Sequence, residues 1–134
     1  MSTTFMTIHK PGIGNAASYQ VSGIPWVSSS LVVPASGSTV LEITFPQVTK
    51  SLIVKNSSTG SVNMRVGFSE NGVKNSNNYF ILSGGESFAA DLKVTRVYLM
   101  SNDATVLTGS VIAGLTNIPA GELTSNWSGS AGVG

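Results

Sequence analysis

Apolar residues recur at every second position along most of the chain, and no window repeats them at the spacing of a long amphipathic helix. Residues 61–69 (SVNMRVGFS) give the clearest case. Val62, Met64, Val66 and Phe68 fall on one face, while Asn63, Arg65, Gly67 and Ser69 fall on the other. A strand of this kind buries one side and leaves the other to water or to a partner. Many half-apolar strands in one chain require a second layer to cover them, so the pattern predicts an all-β fold built from two packed sheets.

Eight strands are predicted, at 24–33, 39–46, 50–56, 61–69, 79–83, 86–92, 94–101 and 104–116. The break between 86–92 and 94–101 is weakly marked, and the pair also reads as one long bent strand. Pro34, Pro46 and Pro119 end strands, and Gly84-Gly85 and Asn102-Asp103 turn the chain. The polar run 70–78 (ENGVKNSNN) reads as a loop. Gly109 and Gly114 inside the last strand mark bulges or close backbone approach. Eight antiparallel strands in about 100 residues suit a jelly roll or another Greek-key sandwich. An immunoglobulin-type sandwich competes, usually with seven strands. The body is 24–119, preceded by a flexible arm (1–23) and followed by a Gly/Ser-rich flexible tail (120–134). The alternation assigns Leu41, Ile43, Phe45, Leu52, Val54, Val62, Met64, Val66, Phe68, Phe80, Leu82, Leu99, Val106 and Ile112 to the core.

A chain of 134 residues is long enough for one self-sufficient core. Only 10% of it is charged, well below the roughly 25% of an average soluble protein. Ser, Thr, Asn and Gly fill 58 positions instead. Seven Lys and Arg against six Asp and Glu, with no basic run, leave no footprint for phosphate-driven nucleic-acid binding. The absence of Cys excludes disulfides and thiolate metal sites, and one histidine excludes a His-rich zinc site. Neither a transmembrane helix nor a secretory leader is expected, since Ser, Gly and Pro interrupt every apolar stretch.

A search for chemistry finds little. The lone histidine, His9, sits in the Pro/Gly-flanked arm and reads as solvated. The carboxylates Glu42, Glu70, Glu86, Asp91, Asp103 and Glu122 single out no facing pair of the kind glycoside hydrolysis needs. Gly84-Gly85 and Gly12-x-Gly14 lack the strand–loop–helix context of a phosphate cradle. Asn56-Ser57-Ser58 and Asn126-Trp127-Ser128 match the glycosylation sequon, a pattern frequent by chance in such a composition. Trp26, Trp127 and Tyr19 could stack on a sugar, but aromatic enrichment at protein interfaces favours contact roles for them. The reading is of a building block: few charges, many hydroxyls and amides, and an arm at each end. No catalytic residue, cofactor or metal is assigned.

Four stretches carry a resemblance. The run GIGNAASYQVSGIPW (12–26) precedes ITFPQVTKSLIVKN (43–56) and MRVGFSENGVKNSNNYFIL (64–82), and a further strand ends in IAGLTNIP (112–119). Together they resemble the small single jelly-roll penton proteins of large icosahedral double-stranded-DNA viruses, especially those infecting algae. The likeness covers roughly residues 12–119. The Ser-Tyr-Gln-Val-Ser-Gly run (18–23) is also similar to jelly-roll virion proteins of some tailed phages.

The resemblance implies a virion protein assembled in the host cytoplasm. Five copies would form a ring at each five-fold vertex, beside major and minor capsid proteins, with no enzymatic activity, cofactor or membrane insertion. A phage head-decoration (cement) protein and a carbohydrate-binding, receptor-binding module are the alternatives. A five-fold ring joins one flank of each copy to a different flank of the next. Candidate inter-subunit residues are Asn63, Arg65 and Ser69 on the polar side of 61–69, together with Trp26 and Trp127.

Overall fold

The structure is a computed structural model that describes residues 23–134. Residues 1–22 of the arm, with His9 and Tyr19, lie outside the described residues. The elements in order are β1 (Ile24–Val33), β2 (Leu41–Thr44), β3 (Gln47–Asn56), β4 (Met64–Gly67), α1 (Glu70–Lys74), β5 (Tyr79–Leu82), β6 (Ser87–Ala90), β7 (Arg96–Ser101) and β8 (Leu107–Pro119). A single 3-10 turn, Ala120–Glu122, follows.

The strands form two antiparallel four-stranded sheets, ordered β1-β8-β3-β6 and β2-β7-β4-β5. Successive strands therefore often lie in different sheets. Pro46 makes one such crossing, between β2 and β3, because it cannot donate to a ladder. The two weakly separated strands are distinct: β6 belongs to the first sheet and β7 to the second. Thr49 holds the link between them. Its hydroxyl lies 2.7 Å from Leu92 O and 3.1 Å from Val94 O, and its backbone N–H donates to Val94 O.

Side chains from both sheets meet in one buried cluster. Val33, Phe45, Leu52, Val54, Met64, Val66, Val97, Leu99 and Val111 are wholly enclosed there, and Trp26 meets Phe45 edge-to-face at 4.9 Å between ring centroids. Most of the expected core is inside. Leu41, Val62, Phe68 and Phe80 are half-buried and packed against the cluster. Phe45 rather than Phe68 is therefore the central ring.

Two core assignments are corrected. Val106 is 55% exposed and Ile112 is 46% exposed. In β8 the inward positions are Leu107, Gly109, Val111, Ala113 and Leu115, the opposite parity. Both parities of this strand carry apolar residues, so alternation alone could not choose, and a one-residue slip exchanges the faces. In β1 a bulge between Ser28 and Leu31, with Ser30 at φ +57°, changes the inward parity from Trp26 to Leu31 and Val33.

The 70–78 run is not all loop. Ser69 caps α1 by accepting the Gly72 N–H at 2.9 Å, and Val73 packs against Tyr98 and Met100 on the outer face of the second sheet. Gly67 permits this seating: a methyl there would stand 2.5 Å from Val73 Cγ2 and 3.0 Å from Asn78 O. Gly67→Ala is expected to cost about 1–3 kcal/mol, read as a lower urea midpoint at unchanged slope.

The tail 120–134 is also not loose. Asn126 is buried and bonds to four backbone groups, and the Ser69 hydroxyl lies 2.8 Å from both Val133 O and Gly134 O. The tail docks on its own domain, because one buried amide and one serine anchor it despite its Gly/Ser content.

Candidate interaction surface

The two outer sheet faces differ. Across the second sheet, α1 covers Tyr98 and Met100, with Val40 and Tyr79 packed alongside. Arg65 closes this side further. Its Nε donates to Asn102 Oδ1 at 2.9 Å, one terminal nitrogen donates to Val73 O at 3.1 Å, and the guanidinium stands 4.6 Å from the Tyr79 ring centre.

No element of the described residues covers the first sheet in this way. Its register pairs Val27 with Ile112, Ile112 with Ile53, and Ile53 with Ala89. Cross-strand partners share a face, so these four form one apolar row across all four strands. Val27 is 63% exposed, Ile112 46% and Ile53 39%. Val32, paired with Thr108 one end further along, is also exposed. Around the row stand Pro25, Gly114, Ser51, Ser110 and Ser87, with Lys55 the one charge among the paired outward positions and Lys50 beside Gly114. The row was hidden in the sequence because its members come from four distant segments.

The expected contact residues do not gather on one surface. Asn63 is half-buried, and its carbonyl accepts the Asn102 N–H. Arg65 is engaged within the chain as described. Ser69 is buried at the α1 cap and the tail. Trp26 faces the core against Phe45. Trp127 is exposed; its Nε1 donates to Lys93 O at 2.7 Å, and the Lys93 ammonium lies 5.2 Å from the ring centre. The polar side of 61–69 reads as accessible in the sequence, but α1 folds back over it.

Both sequon asparagines are buried. Asn56 Nδ2 donates to Val62 O at 3.1 Å and Leu82 O at 3.0 Å, while its Oδ1 accepts the Ser58 N–H. With Asn126 equally enclosed, neither is the surface acceptor that glycosylation needs.

Among the described residues no three His, Cys, Asp or Glu side chains group to hold a metal ion, and no helix is long and apolar enough to cross a membrane. Tyr98 is buried on the outer side of the second sheet. Burial pushes its phenol above the ordinary value, the Glu42 carboxylate 3.3 Å away adds to that, and a hydrogen bond with Arg96 opposes both. A raised folded-state pKa contributes stability that is complete below the unfolded value of about 10 and lost as pH rises through the folded one. Urea midpoints compared between about pH 8 and pH 11 should therefore fall more steeply for the wild type than for Tyr98→Phe.

Compared with known proteins, the chain matches no family model and no curated protein.

Proposed function

We propose that this chain is a non-enzymatic virion structural protein: a jelly roll that forms a homopentamer at the five-fold vertices of an icosahedral capsid, beside major and minor capsid proteins. The strand order carries the reading. Lettered B to I along the chain, the sheets β1-β8-β3-β6 and β2-β7-β4-β5 become B-I-D-G and C-H-E-F. That order supports a jelly roll, a double-sheet architecture shared by capsid and lectin domains. The open, nearly uncharged face supports a protein that assembles, because little charge must be desolvated when it is covered. The resemblance of residues 12–119 to penton proteins selects the vertex among capsid positions.

Cryo-electron microscopy of particles containing the protein tests the proposal. Density for five copies around each five-fold axis is the expected result. Isolated monomers or trimers on the shell away from those axes would replace the vertex reading with the cement reading. The carbohydrate reading has one observation of its own, the exposed Trp127 indole at the rim of a groove lined by Phe68, Asp91, Leu92 and Val133. Selective glycan-array binding lost in Trp127→Ala would favour it.

A further inference from the structure

We infer that the outer face of the first sheet is the surface through which one copy of this chain packs against a second copy, with Val27, Ile112, Ile53 and Ala89 at its centre. The inference deepens the proposed self-assembly and rests on it for the identity of the partner.

Three observations converge on a second copy. The first is charge. Lys55 is the single charged residue among the paired outward positions of the four strands, and Lys50, whose stem lies beside Gly114 on the same face, adds one more charge. A polyanion or an acidic peptide finds only these two lysines to pair with, whereas another copy of a chain only 10% charged presents surfaces equally poor in charge. The second is size. Three strands of ten residues or more and the four-residue β6, at about 4.8 Å spacing and about 3.3 Å rise, give a face on the order of 500 Å². Two such surfaces reach about 1,000 Å², the lower bound for a specific protein contact. A single peptide strand or a sugar would leave most of this face in water. The third is asymmetry. The opposite face is closed by α1, Arg65 and Tyr79. A subunit with one open flank and one closed flank suits head-to-tail contacts, in which the open face meets a different surface of the next copy and the ring closes by rotation.

The test uses the full chain with Ile112→Glu and, as a control, Asn71→Glu on the exposed side of α1. Mass photometry and sedimentation across a concentration series report assembly; circular dichroism and a urea midpoint report folding. Ile112 is already 46% exposed, so the variant should fold like the wild type. Ile112→Glu is expected to raise the concentration of half-assembly by about tenfold or more, equivalent to about 1.4 kcal/mol, while Asn71→Glu leaves it unchanged. If Ile112→Glu folds poorly, Val27→Ser on the same row replaces it. Assembly of the row variant at wild-type concentrations, or a wild type that stays monomeric throughout, overturns the inference. A pentamer indifferent to Ile112→Glu sinks this surface and leaves the five-fold reading standing. An oligomer of another size that Ile112→Glu dissolves does the reverse. Because the chain has no cysteine, Ile112→Cys adds the only thiol. A disulfide-linked dimer on oxidation would mean that the open faces meet each other, which contradicts the head-to-tail arrangement.

Discussion

Asn126→Ala is expected to destabilise the protein by about 3–5 kcal/mol, a large part of the roughly 5–15 kcal/mol that holds a domain folded. Beyond the Gly67–Tyr98 pair, no further ladder pairing joins β4 to β7. The Asn126 carboxamide bridges the gap. Its Oδ1 accepts from Thr95 N at 2.7 Å and Arg96 N at 3.1 Å, and its Nδ2 donates to Phe68 O at 2.7 Å and Arg96 O at 3.1 Å. Alanine would strip these backbone groups of their partner in a place where the residue is 1% exposed. Alanine is also the poorer residue at φ +50°, a left-handed conformation that asparagine tolerates. Equilibrium urea unfolding gives the difference directly. Asn126→Asp separates the two halves of the interaction: it keeps the acceptor but turns an oxygen toward Phe68 O and Arg96 O. Its deficit should shrink at low pH, where the protonated acid donates one bond. Trp127→Phe, which loses one hydrogen bond at a more exposed site, should cost only about 1 kcal/mol.

Phe45→Ala is the second large effect, expected at about 3–5 kcal/mol. Phe45 is wholly enclosed, meets Trp26 edge-to-face, and lies between β2 and the crossing at Pro46. Its removal leaves a cavity bounded by both sheets, which cannot collapse without moving a ladder. Phe68→Ala should cost clearly less, because that ring is half-buried at the edge of the cluster. Paired thermal and urea unfolding of the two variants reads the contrast. Equal losses would contradict the placement of Phe45 at the centre.

The strands were legible because period-2 alternation and the Pro and Gly breaks are local signals. All eight predicted strands exist, and 24–33 matches β1 at both ends. Parity was clearest where one face alone is apolar, as in Met64 and Val66 of β4. In β8, Val111 and Ile112 compete, and only the neighbouring strands decide which turns inward. The helix α1 was missed because a five-residue turn in a polar run has no hydrophobic period. Its signs were the Ser69 cap, Glu70 in the first turn and Lys74 in the last. The tail read as loose because its order depends on backbone groups of β4 and β7, far away in sequence. The open face was invisible for a related reason. Val27, Ile53, Ala89 and Ile112 become neighbours only through the registers of three strand pairs, so the sequence pointed instead to the polar side of 61–69, which α1 occupies.

Native mass spectrometry of the purified full chain, followed by sedimentation at several concentrations, decides whether the chain closes into a ring. A closed assembly of five copies of the 13.8 kDa chain is expected, with no ladder of larger species because a ring leaves no open face. A monomer at every concentration, or an open-ended series of oligomers, would contradict it.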